Sequence, residues 1–371
     1  MQKRSFMVRF FKSQPVLVIA FIAAVITMFF VPPDSEYVGY INRTVLIELF
    51  ALMIAVAGFR SVGIFDKATD IMLKKAGTAR RIALVLVLLC FFSSMLVTND
   101  VALITFVPLS LMLFASAKDE KLRIRVIVLE TAAANLGSML TPVGNPQNLY
   151  IYDVYKLTAM DFIRTMLPSG IAALVVLVLL TLIIPAEKCG APAEKKAEFR
   201  LVPTAAHSAL FVVCLMTVLR IVPDWVCLIA AVAVSLIFDR GLLLKADYPL
   251  LATFVCFFVF VGNIARIGAV SDFFRGILAG NELVVSLLLS QVISNVPAAV
   301  MLSGFTDKGT ELLLGVDLGG LGTIIASLAS LISFQFYRKT ETARTGRYLL
   351  TFTGISMILL VPLLILNIFI L

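Results

Sequence analysis

The chain has 371 residues, of which 60% are apolar and only 15% charged, and its mean hydropathy is +1.02. A soluble globular protein of average composition is about 25% charged, so the deficit excludes an ordinary water-soluble domain and points to lipid as the solvent. The formal charge of +8 and pI near 9.3 do not indicate nucleic-acid binding, because the positive residues lie in short loops and no basic face or stacking motif accompanies them.

Apolar runs of about 20 residues and the placement of Lys and Arg in the loops predict the topology. Lys3, Arg4, Arg9 and Lys12 put the N-terminus in the cytoplasm. Residues 14–31 cross outward, and the loop with Pro32, Pro33, Asp34 and Glu36 is external. This first run is long enough to span and lacks small-residue cleavage spacing, so no cleaved signal is expected. Residues 44–62 return. The stretch up to Arg81, with Lys67, Lys74, Lys75 and Arg80, is predicted to lie along the inner interface.

Segment 82–115 has basic residues before it (Arg80, Arg81) and after it (Lys118, Lys121, Arg123, Arg125), so both ends belong inside. As a single helix it would run about 51 Å, too long for one span and short for two. Its middle reads Thr98-Asn99-Asp100. The expectation is a re-entrant hairpin whose polar tip is buried in protein or faces a water-filled cavity. Two short spans joined by an external turn are the alternative. Residues 126–152 cross outward, but two prolines and two glycines around Thr141-Pro142-Val143-Gly144-Asn145-Pro146-Gln147-Asn148 predict a broken helix. Residues 166–185 return, and a cytoplasmic linker around 186–203 follows, with Lys188, Lys195, Lys196 and Arg200.

Residues 204–222 cross outward, 225–239 inward to Arg240 and Lys245, and 248–263 outward. An amphipathic stretch near 265–280 is external. Residues 281–305 are too short for two spans and form a second hairpin with tip Ser294-Asn295-Val296-Pro297. Residues 312–336 cross inward, broken at Asp317-Leu318-Gly319-Gly320-Leu321-Gly322-Thr323, and 348–371 finish outward. This arrangement puts 24 of the 31 Lys and Arg residues inside, which supports the orientation as a whole: N-terminus cytoplasmic, C-terminus external, in a multi-pass inner or plasma membrane protein.

The expected fold is therefore all-α and integral to the membrane, with about nine full spans plus two re-entrant hairpins. The halves match in order: residues 1–185 form a first repeat, 186–224 a linker and linking helix, and 225–371 a second repeat. The single extra crossing inverts the second. Asn99 corresponds to Asn295, while Asn135, Gly137 and Thr141 align with Asp317, Gly319 and Thr323 at one offset of 182 positions. Inverted repeats with interrupted helices are the architecture of alternating access.

Broken helices expose N–H groups that favour anions and C=O groups that suit Na⁺. The candidate binding residues are Thr98, Asn99, Asp100, Asn135, Gly137, Thr141, Gly144, Asn145, Asn148, Ser294, Asn295, Asp317, Gly319 and Thr323. Asn99 and Asn295 are expected to cap the second arm of each hairpin. Intramembrane charge is a functional hypothesis by default, and Asp100 leads as a cation or proton site. Asn99, Asp100 and Asn295 are the candidate Na⁺ ligands. Arg60 and Arg220 are read as snorkelling to the interfaces, leaving no cation for an anion in the core. Cys90, Cys189, Cys214, Cys227 and Cys256 have no ligand spacing, His207 stands alone, and no catalytic constellation is visible, so neither an enzyme nor a cofactor is expected.

The motifs Val97-Thr98-Asn99-Asp100, Thr141-Pro142-Val143-Gly144-Asn145-Pro146-Gln147-Asn148, Ser294-Asn295-Val296-Pro297 and Gly315-Val316-Asp317-Leu318-Gly319-Gly320 resemble the ion transporter superfamily. That group includes citrate transporters, sodium/dicarboxylate symporters and arsenite-efflux permeases. The resemblance covers nearly the whole chain and implies an elevator-type transporter of a small anion coupled to H⁺ or Na⁺, with a homodimeric scaffold. The first tip departs from the Ser-Asn-Thr of the dicarboxylate branch, and the second lacks its final hydroxyl. These departures favour coupling through Asp100 and keep a sodium/proton antiporter or an arsenite-type permease as alternatives.

Overall fold

The computed structural model describes residues 14–65, 67, 77–114, 120–187 and 201–370. The N-terminal basic cluster, Lys74, Lys75, Lys118 and the linker lysines 188, 195 and 196 with Arg200 lie outside the described residues. Within them the chain is helical throughout. The helices are α1 (Pro15–Met28), α2 (Tyr37–Tyr40), α3 (Arg43–Ser61), α4 (Ala79–Val97), α5 (Asn99–Leu113), α6 (Glu120–Ser138), α7 (Pro146–Val154), α8 (Ala159–Leu182) and α9 (Leu201–Val218). Then follow α10 (Asp224–Phe238), a 3₁₀ turn (Arg240–Lys245), α11 (Tyr248–Ala265), α12 (Gly268–Leu278), α13 (Glu282–Ile293), α14 (Asn295–Ser303), α15 (Gly309–Leu318), α16 (Leu328–Arg338) and α17 (Thr345–Ile370).

Six of these, α3, α4, α8, α9, α11 and α17, are long and apolar enough to cross a membrane. Counting the pair α12–α13, bent by 113°, as one span makes seven. Their outward faces carry large exposed apolar side chains, such as Ile171, Leu179, Val212 and Phe369, as expected of helices solvated by lipid.

Two packing groups position the rest. In one, α4 and α5 pack on each other and on α6, and α13 and α14 pack on each other and on α15. In the other, α3 packs on α9 and α10, and α1 on α11. The breaks have identifiable causes. α4 gives way to α5 at Thr98, with φ 71°, and α13 to α14 at Ser294, with φ 75°. A non-glycine residue at positive φ is strained, and the next amide of each tip is held across the gap: Asn99 N donates to Gly144 O (3.2 Å) and Asn295 N to Ala326 O (2.9 Å). α6 stops at Ser138. The chain re-enters a helix at Pro146, behind the Asn145 side chain, which accepts from Asn148 N at 2.9 Å. Proline at the first helical position suits this start. α15 stops at Leu318, and Gly322, at φ 105°, supplies a turn that favours glycine.

Candidate functional site

The tips are organised by their asparagines. Asn99 Oδ1 accepts from Asp100 N at 3.0 Å and Asn295 Oδ1 from Val296 N at 2.9 Å. Each is the first helical residue and not the cap expected of it: the caps are Thr98 and Ser294, and neither makes a side-chain capping hydrogen bond. Asn99 Nδ2 donates to Asn135 Oδ1 at 3.0 Å, which ties the first tip to α6. Thr141 Oγ1 donates to Met95 O across the same gap. Thr323 Oγ1 likewise donates to Gln291 O at 3.1 Å. Gly137 packs against Phe91 O and Ser94 Oγ; Gly319 packs against Ser290.

These contacts recur with fixed displacements. Asn295, Gln291 and Ser290 stand 196 positions after Asn99, Met95 and Ser94, while Ala326, Thr323 and Gly319 stand 182 after Gly144, Thr141 and Gly137. At the centre the two broken helices exchange side chains. Asn135 Oδ1 accepts from Ser327 Oγ (3.0 Å), and its Nδ2 donates to Ser330 Oγ (3.1 Å). Asp317 Oδ1 accepts from Asn145 Nδ2 (3.1 Å) and Gln147 Nε2 (3.0 Å). Asp317 is only 3% exposed, well away from any surface.

Beside this centre lies a cavity of ≈ 640 Å³. Thr98, Asp100 and Asn145 line it from the tips, at the starts of α5 and α7. Arg60 at the end of α3, Lys245 closing the 3₁₀ turn and Asp247 line it from the other packing group. Of the candidate residues, Asn99, Asn135, Asn145, Asn148 and Asp317 meet in the buried centre. Thr98 and Asp100 reach the cavity wall. Ser294, Asn295, Gly319 and Thr323 do not line that cavity, and Thr323 is exposed.

Arg60 and Lys245, both exposed, line the cavity, and Lys245 also pairs with Asp239 at 3.6 Å. Arg220, at positive φ, is exposed. Its guanidinium donates to Tyr152 O (2.8 Å) and Leu157 O (3.0 Å) and lies 4.8 Å from the centroid of the Tyr152 ring. Arg60 and Lys245 were missed because they look like loop-flanking charges. Ser327, Ser330 and Gln147 were missed as partners, although the 182-position offset already pairs the two serines with Asn145 and Asn148.

Residues 6–307 match the family described as citrate transporter. The chain belongs to this citrate transporter family. It is 33% identical over 310 residues to an uncharacterized transporter of Methanocaldococcus jannaschii, covering 82% of this chain and 83% of the relative. It is 30% identical over 319 residues to the inner membrane protein YbiR of Escherichia coli, covering 83% of each. A shorter likeness, 28% over 158 residues, links it to the silicon efflux transporter LSI3 of Oryza sativa, across 42% of this chain and 32% of that protein. The citrate transporter family relationship, together with the apolar helices, makes it a multi-pass membrane transport protein.

Proposed function

We propose that the chain is a secondary active transporter of a small anion, coupled to H⁺ or Na⁺. The observation that carries the reading is the cavity wall. Arg60 and Lys245 face a space onto which the starts of α5 and α7 open, and both the side-chain charges and the positive ends of two helix dipoles favour an anion. Asp100 stands on the same wall as the coupling group, with Asn99 and Asn295 as further candidate Na⁺ ligands. The recurring contacts at 196 and 182 positions support two matched repeats within 1–185 and 225–371; the loop charges support their inversion, with nine spans and two re-entrant hairpins. The separate packing groups support an elevator motion of hairpins and broken helices against a scaffold, which the family resemblance makes a homodimer. The likeness to an Escherichia coli inner membrane protein supports an inner-membrane location, and the Lys and Arg excess of alternate loops supports a cytoplasmic N-terminus and an external C-terminus.

One observation favours a sodium/proton antiporter instead: Asp247 shares the cavity with Asp100, which gives a cation two carboxylates. Proteoliposomes with imposed Na⁺ or H⁺ gradients separate the readings. Citrate, succinate, phosphate, sulfate, arsenite and silicic acid would be offered to wild type and to Asp100→Asn. Gradient-driven flux of an anion, lost in Asp100→Asn while counterflow persists, is the expected result. Na⁺/H⁺ exchange with no anion movement would sink the anion reading.

A further inference from the structure

The junction between the broken helices holds two matched side-chain sets that differ in one respect. On one side, Asn135 uses Oδ1 to accept from Ser327 and Nδ2 to donate to Ser330. On the other, Asp317, 182 positions later, uses Oδ1 to accept from Asn145, the residue 182 positions before Ser327. The counterpart of Ser330 is Asn148, one of the side-chain amides that act on the Asp317 carboxyl. Here the pattern fails. Asp317 Oδ2 is buried with no donor, and Asn148 Oδ1 is buried with no donor either. The Asn148 NH₂ group is already directed at Ser138 O, Met139 O and Thr141 O, at 3.2–3.4 Å. Turning this amide over would offer Nδ2 to the carboxylate but would take the donor away from three carbonyls of the helix break.

Two buried acceptors each lack a hydrogen. An unsatisfied buried polar group costs about 1–3 kcal/mol, and more when charged, and a carboxylate with no cation beside it is dearer still. Among the described residues no cation pairs with Asp317. The elements packed on α15 are α6, α7, α8, α13, α14 and α17. Their acidic and basic groups, Glu282, Asp153, Asp161, Arg164, Arg347 and those of the Glu120–Glu130 stretch, are not among the groups acting on the Asp317 carboxyl, which are amides only. A hydrogen on Asp317 Oδ2 makes the acid an isostere of Asn135 and completes the match: one oxygen accepts, and the second atom donates to the residue 13 positions after its counterpart in the other half.

We propose that Asp317 is a proton-binding residue, and that the proton sits on Oδ2 and is donated to Asn148 Oδ1. Because the carboxyl is closed in by the breaks of both helices, the proton leaves only when the α6–α7 and α15–α16 breaks part. This ties protonation to the packing of the two halves and separates Asp317 from Asp100, which faces the open cavity. The proposal deepens the coupling element of the transport reading and rests on that reading only for its consequence in flux.

The test reads the proton first. Purified protein in nanodiscs, labelled with ¹³C-carboxyl aspartate in an Asp100→Asn background, would be examined by infrared spectroscopy across neutral pH. The expected spectrum contains an isotope-shifted C=O band of a protonated aspartic acid, lost on adding Asp317→Asn. The melting temperature should fall as pH rises above neutral with Asp317 present, and Asp317→Asn should flatten that dependence. If Asp317→Asn does not fold, the band in the Asp100→Asn protein still decides. Absence of a protonated aspartate band, or its persistence in a folded Asp317→Asn protein, overturns the proposal. A second arm uses proteoliposomes and citrate as probe: an inward proton gradient should accelerate citrate movement in wild type and not in Asp317→Asn. A confirmed band with no citrate movement would leave the proton site standing and count against citrate as substrate.

Discussion

Asn135 makes three helices meet at one amide: it accepts from the Asn99 tip and from Ser327, and it donates to Ser330. Gly137, two residues further, lets α6 close on α4, since a Cβ there would strike Phe91 O and come within 2.6 Å of Ser94 Oγ. A methyl group forced into packed backbone typically costs about 1–3 kcal/mol. Gly137→Ala is therefore expected to lower thermal stability in detergent by that amount. Gly354→Ala, on α17 where a Cβ meets nothing within 4 Å, should be neutral or stabilising by about 0.5–1 kcal/mol, since glycine inside a helix is unfavourable. Equal melting shifts for the two would contradict the close-approach argument. The sequence named Gly137 through its match with Gly319, but not the reason, because the obstructing atom is a backbone carbonyl on another helix.

At the scale of elements, the helix interruptions at Thr98 and Ser294 were legible because a polar tripeptide breaks each apolar run. The breaks were legible from Pro142, Pro146 and the glycines. What could not be read was the crossing of partners: Asn135 bonds to the second half and Asp317 to the first, although each was identified within its own motif. A further tie joins α6 to the end of α16. Glu120 accepts from Tyr337 OH (2.6 Å) and Thr342 Oγ1 (3.0 Å) and pairs with Arg123. Partial burial pushes its carboxyl up, but the hydrogen bonds from Tyr337, Arg123 and Thr342 outweigh this and hold it below the usual range. A carboxyl depressed on folding contributes stability that is present above its unfolded value, about 4.3, and is lost as pH falls through the folded value. Tyr337→Phe removes one acceptor–donor pair at Glu120 and the hydroxyl that accepts from Arg344 N at 2.8 Å. It should destabilise by about 1–2 kcal/mol and move the acid loss to higher pH. Superimposable melting curves for the two proteins across mildly acidic pH would exclude this role.

For the whole molecule, the cavity is a boundary. Arg60 and Lys245 belong to α3 and the 3₁₀ turn, in the group with α9 and α10; Asp100 and Asn145 belong to the hairpin and broken helix. A charge pattern split between two packing groups would change with the sliding proposed above, so that motion would alter the field around a bound substrate. Topology reasoning treated Arg60 and Lys245 as markers of the cytoplasmic side because sequence gives distance from a span end but not which wall a side chain faces. The two roles are compatible only if the cavity opens to that side in this conformation. If the cations hold an anion there, Arg60→Gln and Lys245→Gln should each raise the half-saturating substrate concentration about tenfold, equivalent to about 1.4 kcal/mol, with a smaller effect at high ionic strength because exposed charges are screened. Transport measured at saturating substrate should change little, since binding that is equal in ground and transition states alters apparent affinity rather than turnover. If the cavity takes a cation instead, with Asp100 and Asp247 as its ligands, the same two substitutions remove repulsion and should lower the half-saturating Na⁺ concentration. The sign of the shift in one pair of variants therefore decides which charge the cavity was built to hold.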